Sequence, residues 1–133
     1  MYFDESEDPL EFSISEDKIF CDYGVLEYSL DDQGATVDSI SVYRKRLGIG
    51  TKLVKLFEDL AIKENAEFVL VPVSPNKEAI LFWKSLKYKP ATDDDKYWTR
   101  KITRSWKEDS WDTAQGVVVM EKSFKKKVRS QTA

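Results

Sequence analysis

The sequence contains no histidine and a single cysteine, Cys21. Without histidine there is no Ser-His-Asp or Cys-His nucleophile system and no imidazole-bound zinc. A lone cysteine forms neither an internal disulfide nor a cysteine-built metal site. No metal is implied, and acid–base chemistry falls to carboxylates, tyrosines, lysines or water. Long apolar runs are also missing. The longest, such as Phe68 to Val73, last a few residues, against about 20 needed to cross a bilayer. The start, Met1-Tyr-Phe-Asp-Glu-Ser-Glu-Asp8, is acidic, whereas a secretory signal opens with basic residues. These features predict a soluble, cytoplasmic protein that does not engage a membrane. Five glycines and four prolines among 133 residues leave no repeat, no linker and no second domain in view. The 41% hydrophobic and 13% aromatic content suffices for one buried core.

The net charge of −3 is unevenly spread. Residues 1–40 hold twelve acidic side chains and one basic, Lys18, so the remainder carries +8. An acidic face suits a cationic ligand and a basic one suits phosphates; an unevenly charged solvated surface is the plainer alternative.

Alternation of apolar and polar residues predicts a strand over Leu10–Ser15, a long strand over Ile19–Leu30, a turn at Asp31–Gly34 and a strand over Thr36–Val42. Gly24 inside the second marks a bulge or a close approach. Thr36, Asp38, Ile40 and Val42 then share one strand face. The period changes over Thr51–Asn65, where Leu53, Val54, Leu56, Phe57, Leu60 and Ala61 form one helical stripe. Valine-rich Glu67–Val73 reads as a central parallel strand. Ser74 or Asn76 caps a second helix reaching about Leu86, with Pro75 in its first turn. Asp93–Asp95 reads as a turn, 96–114 as a tryptophan-rich stretch without assignment, and Gly116–Phe124 as a last strand. Residues 1–9 and 125–133 are expected to be loose, and 91–115 to be an insertion in one domain spanning 1–133. The order predicts an α/β fold with a mixed, mostly antiparallel sheet and one parallel crossover.

The chemistry concentrates in Tyr43-Arg-Lys-Arg-Leu-Gly-Ile-Gly-Thr-Lys52, between a strand and a helix. Backbone N–H groups at a glycine-containing helix start, with the helix dipole and Arg44, Lys45, Arg46 and Lys52, suit a diphosphate. Gly48 and Gly50 easing tight packing is the alternative. The Gly-Lys-Ser/Thr ending of a Walker loop and the three-glycine dinucleotide pattern are both absent.

With its flanks the segment resembles the GNAT superfamily of acyl-CoA-dependent N-acetyltransferases. The family pattern Arg/Gln-x-x-Gly-x-Gly/Ala appears as Lys45-Arg-Leu-Gly48-Ile-Gly50. A second pattern, Asn-x-x-Ala-x-x-Phe-Tyr-x-x-x-Gly-Phe, appears as Asn76 to Tyr88, and Val118–Lys122 resembles the family's last strand. The resemblance covers roughly 10–90 and 116–124. It implies the GNAT fold, without the N-terminal helices that most members place before the first hairpin. It implies acetyl-CoA as co-substrate and an amine acceptor: a small amine, a polyamine, a lysine or a protein N-terminus. Backbone groups of Ile40, Ser41 and Val42 would pair with the pantetheine arm. Amides of Lys45, Arg46, Leu47, Gly48, Ile49, Gly50 and Thr51 would cradle the pyrophosphate. Asn76 would contact pantetheine, with a plain helix cap as its alternative, and Phe82 and Trp83 would line the channel. Asp38 is the candidate general base and Glu27 a weaker one.

Two positions depart from the pattern. Trp83 replaces the tyrosine that commonly protonates the leaving thiolate, and an indole N–H is no practical acid. Lys87 replaces a glycine. Tyr88 occupies the place of a buried phenylalanine, and Tyr97 has no assigned place. A catalytically weak acyl-CoA-binding or protein- or RNA-interaction module is therefore the second reading. Trp98, Trp106 and Trp111 among Arg100, Lys101, Arg104 and Lys107 read as packing or as the contact of a homodimer. Nucleic acid, though it suits such interleaving, is not the expected partner.

Overall fold

The computed structural model describes residues 11–32, 34–44 and 47–124. The segments 1–9 and 125–133, and the loop residues Lys45 and Arg46, lie outside the described residues. Among the described residues seven strands and three helices follow in the order β1 (Ser13–Ile14), β2 (Lys18–Cys21), β3 (Gly24–Leu30), β4 (Ala35–Val42), α1 (Ile49–Lys63), β5 (Phe68–Val73), α2 (Lys77–Ser85), β6 (Lys89–Pro90), α3 (Asp93–Arg104) and β7 (Val118–Ser123). They build one mixed sheet in the order β1-β2-β3-β4-β5-β7-β6. Only β4 and β5 are neighbours in parallel; the other adjacent pairs run antiparallel.

The long strand expected over Ile19–Leu30 is two strands. The chain reverses at Asp22-Tyr23, with Cys21 opposite Gly24 as the closing rung. Asp-Tyr is a weak turn dipeptide, and the alternation runs through it undisturbed. Gly24 is instead a close approach: a Cβ there would sit 2.9 Å from the Ser41 carbonyl oxygen. The Asp93–Asp95 segment is not a turn but the first turn of α3. Thr92 caps it, its Oγ1 accepting from the Asp95 N–H at 3.1 Å, and three acidic residues complement the helix N-terminus. Pro75 precedes the Asn76 cap of α2 instead of entering the helix.

The helices α1 and α2 share one face of the sheet. The Phe57 ring of α1 meets Tyr28 of β3 at 5.0 Å, and Gly50 of α1 fits against Phe82 of α2. The α1 stripe buries Leu53, Val54, Phe57 and Ala61 as its spacing predicts. Alternate residues Val69, Val71 and Val73 of β5 and Val118 and Met120 of β7 complete that core. The helix α3 packs on α2 and on the β6–β7 edge, and its Asp95 Oδ1 accepts the Val119 N–H at 3.0 Å.

Lys87 sits just past the α2 C-cap with φ 76°. This left-handed conformation is what a glycine supplies freely at a helix end, and a residue with a Cβ adopts it at a cost of about 1–2 kcal/mol. Lys87→Gly is therefore expected to stabilise the fold by about 0.5–1 kcal/mol, the larger unfolded-chain entropy of glycine offsetting part of the relief. Urea unfolding of the two proteins measures the difference; an unchanged or lower midpoint contradicts it.

Candidate active site

The parallel pair β4–β5 is held by two rungs, Ala35↔Val69 and Thr36↔Leu70, and beyond them the strands part. A cleft of about 600 Å³ opens between them. Its walls are Val37–Ile40 and Val42 of β4, and Val71–Val73 of β5 with Ser74 just beyond it. Its mouth is formed by the first turn of α1 (Gly48–Thr51) and by Asn76, Glu78, Ala79, Phe82 and Trp83 of α2.

On β4, Tyr43 N–H donates to the Tyr23 carbonyl at 2.7 Å. Alternation of an antiparallel ladder then turns the backbone groups of Ser41 toward β3 and those of Ile40 and Val42 toward the cleft. The structure thus separates three residues that the sequence reading grouped: Ile40 and Val42 line the cleft, and Ser41 does not.

Asp38 is placed differently from its expectation. The register runs Glu27↔Ser39 and then Tyr28↔Val37, so Asp38 has no partner on β3 and forms a β-bulge. The extra residue reverses the alternation. Tyr28, opposite Val37, faces α1, whereas Asp38 reaches Ser29, whose Oγ donates to its Oδ2 at 2.6 Å. The Asp38 side chain therefore lies on the face opposite Ile40 and Val42, yet the residue still borders the cleft. Beside it, Ser39 Oγ donates to Glu27 Oε1 at 2.9 Å. Two hydroxyl–carboxylate pairs stand together on this exposed face.

At the start of α1, Gly48 is the N-cap with φ 70°, and the space a Cβ would occupy is open for 4 Å. No side chain caps the helix and its first turn holds no acidic residue. The first N–H groups are left for solvent or an anion. Gly50 has the other role: a Cβ there would lie 3.2 Å from the Phe82 ring. The two glycines thus divide the two readings, backbone freedom at Gly48 and tight packing at Gly50. Ile49 is buried, Thr51 is exposed at the mouth, and Leu47 is exposed outside the lining.

Asn76 caps α2, its Oδ1 accepting from the Ala79 N–H at 2.9 Å. Its Nδ2 has no hydrogen-bond partner among the described residues and stands at the cleft. Trp83 is 3% exposed, edge-on to Phe82 at 5.2 Å and to Tyr88 at 4.9 Å, so it is a fixed wall. Among the described residues no tyrosine lines the cleft. Tyr97 is on the outer face of α3. Tyr88 is buried, its hydroxyl donating to Glu58 Oε2 at 2.9 Å; burial first, then the Glu58 charge, raises its pKa far above the usual tyrosine value. It is no proton donor for a leaving group.

Sequence reasoning missed that Glu58 network. Lys122 Nζ lies 3.1 and 3.2 Å from the two Glu58 oxygens and 3.1 Å from the Leu86 carbonyl. It joins α1, β7 and the end of α2, next to the wall made by Trp83. The far wall, Val71–Ser74, was also missed as a site, as was Glu78; an apolar strand gives no sign that it will part from its neighbour.

No protein-family model matches the sequence, and no characterised protein matches it by sequence. Its fold is that of known structures. The ribosomal-protein-S18-alanine N-acetyltransferase of Escherichia coli superposes with a TM-score of 0.60 at 17% identity, over 87% of this chain and 72% of that one. Arabidopsis thaliana Naa50, solved with the bisubstrate analogue CoA-Ac-MVNAL, gives 0.56 at 20% identity over 78% and 66%. The anti-CRISPR protein AcrVA5 gives 0.58 at 21% identity over 80% of this chain and 96% of its own. The chain thus has the GNAT fold of N-acetyltransferases, with its mixed, mostly antiparallel sheet and flanking helices.

Glu58 is buried with both oxygens engaged, so Glu58→Ala leaves the Lys122 ammonium with only the Leu86 carbonyl and the Tyr88 phenol without its acceptor. A loss of about 3 kcal/mol is expected, against about 1 kcal/mol for Tyr88→Phe, which leaves the ion pair in place. Equal losses in thermal unfolding would show that the network is not centred on Glu58.

Proposed function

We propose that this protein is an N-acetyltransferase that moves the acetyl group of acetyl-CoA to an amine. The observation that carries the reading is the parted β4–β5 pair, whose open strand edge meets the uncapped α1 N-terminus at one mouth. Acetyl-CoA has the matching shape. Its amide-bearing pantetheine arm pairs with Ile40 and Val42 like an added strand, and its diphosphate rests on the N–H groups of Gly48–Thr51. Lys45 and Arg46 add charge to that loop, and Asn76 Nδ2 donates to the arm. The bisubstrate analogue of Naa50 joins CoA to a peptide, and the Escherichia coli neighbour is named for a protein substrate. A peptide or protein amine is accordingly the acceptor we favour, in the cytoplasm.

The acceptor arrives as an ammonium. Asp38 takes one proton from it, directly or through water. The free amine attacks the thioester carbonyl carbon, whose oxygen is polarised by β4 backbone N–H. The C–N bond forms, the C–S bond breaks, and the second nitrogen proton passes through water to the departing thiolate. The products are the acetamide, CoA and one proton held by Asp38 until solvent takes it.

Release of free CoA across a panel of amines and peptides tests the reading. The protein should bind acetyl-CoA in calorimetry and turn it over. Gly48→Asp should abolish binding by setting a carboxylate against the diphosphate. Asp38→Asn should retain binding and lose about 100-fold in turnover. Absence of binding heat at millimolar acetyl-CoA overturns the proposal.

That no tyrosine among the described residues lines the cleft favours a second reading, a GNAT-fold module that holds acyl-CoA without turnover. Trp83→Tyr separates the two. In an enzyme limited by thiolate departure it should raise turnover with little change in acetyl-CoA affinity. Binding without turnover in both proteins identifies the module.

A further inference from the structure

Apart from Lys101, which lies over the Tyr97 and Trp111 rings, the outer face of α3 has no task in the fold or in the cleft. Asp95, Thr99 and Ile102 are the buried side of that helix. The opposite side presents Lys96, Tyr97, Arg100, Lys101 and Arg104, which share one stripe with the carboxylate of Asp93 at its start, along a shallow depression of about 460 Å³. Lys96 and Arg104 are eight residues apart, about 12 Å along the axis.

Several observations indicate that this stripe awaits a partner. Lys96, Arg100 and Arg104 form no ion pair among the described residues, and Arg100 stands four residues from both of the others. Like charges at that spacing oppose the helix by a few tenths of a kcal/mol per pair. The helix dipole accounts for Lys101 and Arg104 in the last turn, but Lys96 lies near the positive end of the dipole. Two residues beyond the end of α3, Trp106 is 90% exposed; Tyr97, on the stripe, is 55% exposed with Lys101 Nζ over its ring at 5.8 Å. The other two tryptophans are half-buried against each other, Trp98 and Trp111 at 6.4 Å, with Lys101 and Lys107 over the Trp111 ring at 5.9 and 4.8 Å. The chain therefore packs two of its three α3-region tryptophans and leaves the third in water, two residues past Arg104.

We propose that the outer face of α3, with Trp106, binds single-stranded nucleic acid. Unpaired cations in a row complement a phosphodiester chain, and exposed aromatic rings offer stacking faces to bases. A duplex has its bases already stacked and gives Trp106 and Tyr97 nothing to cover. An acidic peptide would pair with the cations but has no flat group for the rings. No α3 residue lines the cleft, so this surface is independent of the acetyltransferase reading. The sequence alone pointed the other way, to tryptophans used for packing, because it does not distinguish Trp106 from Trp98 and Trp111.

Anisotropy of a labelled oligo-dT of about 15 nucleotides, titrated with the full protein from about 50 to 200 mM salt, tests the proposal. Binding should weaken with salt at a log–log slope of about −2, for three phosphate contacts on a single strand. Arg100→Gln with Arg104→Gln should flatten that slope by more than half. Trp106→Ala should weaken binding at least about five-fold, the low end of what one base–aromatic stack contributes. These are surface substitutions, and acetyl-CoA binding and circular dichroism should be unchanged in each. Salt-insensitive binding, binding indifferent to these three residues, or equal binding of polyglutamate or duplex DNA overturns the proposal. So does light scattering that shows Trp106→Ala dissociating a dimer while oligo-dT fails to bind.

Discussion

The separation of β4 from β5 after two rungs is the constraint on which the site depends. A parallel pair in a sheet core normally stays bonded along its length, because every buried backbone group needs a partner. Here each strand is held firmly on its other edge, β4 by seven rungs to β3 and β5 by six to β7. The inner edges can therefore part without unravelling the sheet. What they leave is a slot of about 600 Å³ with backbone donors and acceptors on one wall. The ends of α1 and α2 meet above it, locked by Phe82 against Gly50.

The bulge at Asp38 is the second half of that device. One unpaired residue keeps Val37 on the α1 face below it and Ile40 and Val42 on the same face above it, so the core and the slot stay continuous. The same residue turns a carboxylate onto the opposite face, beside Glu27, Ser29 and Ser39. A strand without the bulge would put either Asp38 into the core or Ile40 into water. Packing and placement of a carboxylate at the cleft are thus one choice, and substitutions that straighten β4 would disturb both.

Most of the fold was legible because it rests on local signals. The α1 stripe, the Asn76 cap and the alternation in β4 each reflect contacts within a few residues or with one buried face. The glycine-containing helix start after β4 was legible because Gly48 and the beginning of α1 are local too. What escaped depends on distant partners. Nothing within Ile19–Leu30 shows that Cys21 and Gly24 close a hairpin, and nothing within Thr36–Val42 shows that β3 skips a residue. The triple aspartate at 93–95 resembles a turn until the helix behind it supplies a dipole to complement. Glu58, a polar residue on the α1 stripe, gains its meaning from Tyr88 and Lys122, 30 and 64 residues away.

The two departures from the GNAT pattern act on different levels. Lys87 concerns backbone alone: its φ of 76° is the geometry the family's glycine serves, and strain is its only evident consequence. It is tolerated at a junction fixed from both sides, with Tyr88 N–H bonded to the Trp83 carbonyl and Lys122 bonded to the Leu86 carbonyl. Trp83 concerns chemistry, because an indole replaces a phenol at the wall of the cleft. Yet the same junction holds it, through the Tyr88 ring against its edge. A side chain so confined, between Phe82 and Tyr88, sets the width of the cleft more rigidly than a tyrosine with a free hydroxyl would. That rigidity favours a fixed cleft geometry.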